Sequence, residues 1–144
     1  MEQTTINDDE ETTSGYKPGC LFCELPSDKF EVLDENELCL TLHDNYPVSE
    51  GHCLIVPRRH VITYFDMDPA EIDAANRLMH RSRKRLLALD PSISGFNIGT
   101  NAGKSAGQSV FHAHIHFIPR RDGDQEYPQG GVRNIFPEKA KYRK

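Results

Sequence analysis

Short apolar runs broken by acidic, glycine or proline clusters predict strands along this chain, and one longer run at helical spacing predicts a helix. The stretch "FEVLDENELCLTLHD" reads as two short strands around an acidic turn, Asp34-Glu35-Asn36-Glu37, and "HCLIVPRRH" as a third strand ended by Pro57. The helix follows. Asp68 suits an N-cap, Pro69 the first helical position, and Glu71 the acid of a capping box. Ile72, Ala75, Met79, Ser82 and Leu86 then mark one face, and Pro91 stops the run. "GFNIGT" predicts a fourth strand and "SVFHAHIHFIP" a fifth. Five strands in hairpin-like order around one long helix imply an α+β domain on a five-stranded antiparallel sheet.

A glycine-rich loop, "TNAGKSAGQS", joins the last two strands. It contains Gly-Lys-Ser at 103 to 105, but Ile98 stands where a phosphate-binding P-loop needs its first glycine. A strand follows instead of a helix, so the P-loop reading is rejected.

Composition changes the picture little. With 37% hydrophobic and 27% charged residues among 144, the chain is an ordinary globular one, and no apolar run reaches the roughly 18 residues that cross a bilayer. The net charge of -5 lies mostly in the first 17 residues, where Glu2, Asp8, Asp9, Glu10 and Glu11 oppose only Lys17. These read as a solvated, disordered lead-in, and the near-neutral remainder makes nucleic acid an unexpected partner. Without a signal or transit peptide, the expected location is cytoplasmic. Cys39 and Cys53, single in apolar runs, read as buried core thiols.

The chemistry concentrates in "QSVFHAHIHFIPRR". On a strand, His112, His114 and His116 would share one face about 6.5–7 Å apart, with Ala113, Ile115 and Phe117 turned to the core. A solvated face rarely repeats histidine three times. Two chemical readings stay open on spacing alone: an open catalytic metal site, or a histidine that attacks phosphorus while its neighbours donate to the phosphoryl oxygens.

The run "HAHIHFI" resembles the signature of the histidine triad family, in which histidine alternates with apolar residues. "HDNYPVSEGHCLIVPRRHV" and "CLFCEL" resemble two further blocks of that family, in order, over roughly residues 18 to 120. The resemblance implies a nucleotide hydrolase or nucleotidyl transferase with no catalytic metal. His114 would be the nucleophile at the α-phosphorus, with His116 and His112 near phosphate and His52 orienting the nucleophile. Gln108 and Ser109 would act near the phosphate and leaving group, Asn101 near the nucleotide, and Asp44 on the ribose hydroxyls. Leu21, Phe22, Leu42, His43 and Leu54 would line the base pocket, adenine nucleotides being the expected ligands. The resemblance also implies a homodimer, with the sheet extended across it.

Two-residue spacing of Cys20 and Cys23 suits half of a zinc site, a redox pair, or an inert loop. A thioredoxin-like site lacks its βαβ setting here, and His60 in "PRRH" is a further candidate ligand. By resemblance, Cys20, Cys23, His60 and His112 would hold one structural zinc, which would remove His112 from phosphate binding.

Residues 121 to 144, beyond the domain, read as an irregular extension that contributes to substrate or dimer contacts. "PRRDGD" and "PQGGVRNIFPEK" resemble members that cleave dinucleoside polyphosphates such as diadenosine tetraphosphate; the alternative is the family's branch of nucleoside phosphoramidases. Arg120, Arg121, Arg133, Lys139 and Lys141 would offset the extra phosphates of the first class. A zinc hydrolase using all three triad histidines and a non-catalytic nucleotide-binding module are the rival classes.

Overall fold

The structure is a computed structural model that describes residues 15–25 and 27–141. Most of the acidic lead-in therefore lies outside the described residues. Five strands, β1 (Val32–Glu35), β2 (Cys39–His43), β3 (Cys53–Pro57), β4 (Ile93–Gly99) and β5 (Ile115–Arg121), form one sheet in the order β1-β2-β3-β5-β4. Every neighbouring pair is antiparallel. The α+β class with one long helix is as expected.

The helix, α1 (Pro69–Leu89), starts where its sequence dictates. Asp68 Oδ1 accepts from the Glu71 amide at 3.0 Å, and Glu71 Oε1 accepts from the Asp68 amide at 2.9 Å. Glu71 also does more than cap. It is buried against Arg59, which donates two bonds to its carboxylate at 2.8 and 3.0 Å. The buried stripe is Ala74, Ala75, Leu78, Ser82 and Leu86, rotated slightly from the expected face, so that Ile72 and Met79 lie at its border.

Strand alternation divides the core between two faces. Cys39, Ile55 and Ile115 pack with Ala74, Ala75 and Leu78 on the helix side. Leu40, Leu42, Leu54 and Val56 pack with Phe22 on the other. The turn between β1 and β2 is tighter than predicted: Asp34 and Glu35 belong to β1, and the Asn36 side chain accepts from the Leu38 and Cys39 amides.

β5 begins later than predicted. Its pairing with β3 stops at Ile55↔Ile115, and the chain before it turns toward the loop after β3, where the Ala113 amide donates to the Val61 carbonyl at 2.7 Å. His112 and His114 therefore lie on irregular backbone, and only His116 sits on the strand. After β5 the chain makes 3-10 turns over Pro128–Ile135 and a short helix, α2 (Pro137–Ala140). Gly131 kinks those turns at φ 50°, a conformation that glycine adopts without strain.

Candidate active site

On the face away from α1, Phe22, Leu42 and Leu54 form an apolar floor. Above it lies a cavity of about 530 Å³. Leu21, Phe22, Phe30, Leu54 and Val110 supply apolar walls, and Lys29, Asp44, Ser109, His114 and His116 supply polar groups. Leu42 is fully buried beneath the cavity rather than lining it.

His114 is fixed from two sides. Thr100 Oγ1 donates to its carbonyl at 2.7 Å, and its ring Nδ1 lies 2.9 Å from the carbonyl of His112. A carbonyl only accepts, so Nδ1 carries the proton and Nε2 keeps its lone pair. The Phe22 ring packs at 5.4 Å, edge to face, and holds the imidazole in place.

His116 has the opposite tautomer. The Val48 amide donates to His52 Nδ1 at 3.1 Å, which leaves the His52 proton on Nε2. That nitrogen lies 3.0 Å from His116 Nδ1 and 3.3 Å from Asp44 Oδ2. His116 therefore accepts at Nδ1 and presents an Nε2 proton. Burial holds both imidazoles below their ordinary pKa, against the pull of the Asp44 carboxylate, so both are mainly neutral at pH 7. Asp44, His52 and His116 offer three donors within 4.8 Å of one another, the grouping of a metal triad. The chemistry says otherwise: a metal-bound imidazole donates its second N–H outward, whereas His52 accepts there. The group is a hydrogen-bond relay.

Cys20, Cys23, His60 and His112 form a second cluster, also with ligand atoms within 4.8 Å of one another. His112 Nδ1 lies 3.4 and 3.5 Å from the two sulfurs, and His60 Nδ1 lies 3.3 Å from Cys23 Sγ. Tetrahedral zinc with ordinary bond lengths sets such sulfur-to-nitrogen edges at about 3.6 Å. His112 Nε2 donates to the Pro57 carbonyl at 2.7 Å, which frees Nδ1 to ligate. The donor set fits zinc. The Lys17 amide also donates to Cys23 Sγ, and the His60 amide to the Gly15 carbonyl, so residues 15–17 pack onto this cluster.

Several expected site residues are placed otherwise. His112 is completely buried with both ring nitrogens engaged away from the cavity, so the phosphate role expected for it is corrected. The three triad histidines do not converge on one point, which removes the triad zinc hydrolase. His52 meets His116, not His114. Gln108 is buried, accepting from the Gly103 amide and donating to the carbonyls of Ile62 and Val110. It braces the glycine loop and has no group left for phosphate. His43 ends β2 on the side of Cys39 and Thr41 and does not line the cavity. Asn101 lines a neighbouring cleft of about 780 Å³ with His116, Ile98, Val132, Ile135 and Phe136.

Four of the five cations expected along a phosphate track are engaged elsewhere. Arg120 is held by Asp124 and Asn97, and Arg121 by Asp90, Ser49 and the Glu50 carbonyl. Arg133 donates to the carbonyls of Lys139 and Ala140, and Lys141 sits over the Tyr127 ring. Sequence reasoning missed Thr100, the Val48 amide and the Pro57 carbonyl, two of which are backbone groups that any residue supplies. It also missed Lys29, Phe30 and Val110.

A lone-pair nitrogen beside an N–H donor, under an apolar pocket edged by a carboxylate, can attack an electrophilic centre and stabilise the charge that gathers on it. The family model described as the HIT domain matches residues 26–123, and the chain belongs to that family. It is 34% identical over 119 residues to an HIT-like protein of Methanocaldococcus jannaschii, covering 81% of this chain and 91% of that one. It is 33% identical over 114 residues to the adenylylsulfatase HINT3 of Arabidopsis thaliana, covering 78% of this chain but 57% of that protein. A zinc-bound histidine triad family protein from Mycobacterium smegmatis superposes with a TM-score of 0.65 at 33% identity, covering 74% of this chain and 78% of that one. No helix among the described residues is long and apolar enough to cross a membrane.

Proposed function

We propose that the protein cleaves nucleotides at the α-phosphorus through a covalent nucleotidyl-His114 intermediate. The observation that carries this reading is the His114 Nδ1 contact with the His112 carbonyl, which leaves Nε2 as a nucleophile in the cavity. His114 Nε2 attacks phosphorus and the bond to the leaving group breaks; water then attacks the phosphoramidate and releases the nucleotide and free His114. His116 Nε2–H donates to the phosphoryl oxygens as charge gathers there, kept in that tautomer by the Val48–His52 relay. Asp44 accepts the ribose hydroxyls, and Leu21, Phe22, Phe30 and Leu54 enclose the base, adenine being the expected one. Ser109 lies at the phosphate.

The leaving group would depart on the far side of His116, into the cleft walled by Ile98, Val132, Ile135 and Phe136. Those apolar walls suit an organic group carried directly on the α-phosphate. The engaged arginines offer little to a chain of extra phosphates, so a nucleoside phosphoramidate is favoured over a dinucleoside polyphosphate. Sulfate as leaving group, by analogy with the plant adenylylsulfatase, is a further variant of the same chemistry.

Zinc in the Cys20, Cys23, His60 and His112 cage would be structural. When bound it supplies a rigid crosslink between the N-terminal turn and the triad segment. A homodimer with the sheet extended across it, as the family resemblance implies, is part of the same reading.

Turnover of an adenosine phosphoramidate beside diadenosine tetraphosphate, for wild type and His114→Ala, tests the proposal. We expect at least tenfold preference for the phosphoramidate, about 1.4 kcal/mol of transition-state discrimination. We expect His114→Ala to lose about 10³-fold or more. Nucleotide binding with no turnover in the wild type would leave a binding module.

A further inference from the structure

We propose that Cys20 and Cys23 form a reversible oxidation site whose state, set by peroxide-class oxidants, governs the nucleotide cavity. The inference rests on reading that cavity as a nucleotide site. Four consecutive residues serve two sites at once. Cys20 and Cys23 point into the donor cage, while Leu21 and Phe22 between them line the cavity. The Phe22 ring packs edge to face on His112 at 5.6 Å and on His114 at 5.4 Å.

His112 joins the two sites a second time, holding the sulfurs through Nδ1 and the His114 ring through its backbone carbonyl. Cys20 and Cys23 are half-buried, whereas Cys39 and Cys53 are fully buried and unreachable. Glu24 donates its amide to the Cys20 carbonyl, closing a helical turn that brings the two thiols to one side.

The step balances. One cysteine thiolate attacks a peroxide oxygen, the O–O bond breaks, and a sulfenic acid and one water result. The second sulfur displaces the hydroxyl as another water, so two thiolates, hydrogen peroxide and two protons yield one disulfide and two waters. The disulfide removes two of the four donors, so Cys20, Cys23, His60 and His112 would no longer hold a zinc ion. A disulfide needs its sulfurs about 2.05 Å apart, so on oxidation the turn that carries them draws together and away from His60 and His112. Leu21 and Phe22 move with it.

The test starts from reduced, zinc-loaded protein treated with stoichiometric hydrogen peroxide. We expect one zinc released per chain, a disulfide mapped by mass spectrometry to Cys20 and Cys23, and AMP affinity lowered at least tenfold by calorimetry. Reductant with added zinc should restore it. Cys20→Ser cannot form the bond, so its AMP affinity should not respond to peroxide. Failure of the reduced protein to take up zinc, retained zinc after treatment, or oxidation at other cysteines overturns the site. A Cys20–Cys23 disulfide with AMP affinity changed less than twofold overturns the coupling. Absence of AMP binding in the reduced protein would instead sink the nucleotide reading, while zinc release and the disulfide still report on the cysteine chemistry.

Discussion

At His116 the decisive feature is a proton's address. The Val48 amide, His52 and His116 pass a donor-to-acceptor direction from backbone to cavity, and protonating either imidazole reverses it. Both pKa values are lowered by burial, so the neutral relay persists below pH 6.5 and fails only as pH drops through the depressed folded values. Because the unfolded imidazoles bind protons more readily, stability falls in the same direction. Followed by NMR, the His52 and His116 imidazoles of the wild type should titrate below pH 6.5; titration of either at or above that value would refute the relay. The histidine alternation in "HAHIHFI" was readable because a strand face is a period of two. The run by itself did not tell that His112 turns away; only the resemblance to the family, which set it among the zinc ligands, pointed there. Its orientation depends on the Pro57 carbonyl and two sulfurs far off in sequence, and no pattern within the run records them.

Helix α1 shows how well local chemistry speaks for itself when capping decides. Asp68, Pro69 and Glu71 announce the start, and the structure makes both reciprocal bonds. Asp68→Ala should lower unfolding free energy by about 1 kcal/mol in denaturant titrations, with nucleotide binding unchanged. The strands were legible in number but not in their bounds, nor in the sheet order that sets β5 between β3 and β4. β5 starts late because the segment before it is tied to the loop after β3, a tertiary pull that overrides its apolar alternation. The burial of Glu71 was likewise hidden, since its partner Arg59 lies twelve residues earlier, outside the helix.

For the whole molecule, zinc held by Cys20, Cys23, His60 and His112 would crosslink the N-terminal turn, the loop after β3 and the segment before β5. Breaking such a cage removes a restraint that an α+β domain of this size feels globally. Cys23→Ser should cost about 3 kcal/mol and lower Tm by roughly 10 °C, together with loss of stoichiometric zinc. Unchanged Tm in that variant would argue against a structural metal. The four ligands were identifiable from sequence only through resemblance to the family, because two-residue cysteine spacing is shared by several chemistries.

His116 is also a shared wall, bordering the nucleotide cavity on one side and the Ile98–Phe136 cleft on the other. On the covalent mechanism proposed above, once a leaving group vacated that cleft its next occupant would stand in line to meet the nucleotidylated histidine. Water there ends the cycle as hydrolysis. An amine or alcohol whose apolar body fits the vacated space would collect the nucleotide instead, so the cleft would set the partition between two products and not merely the speed of one.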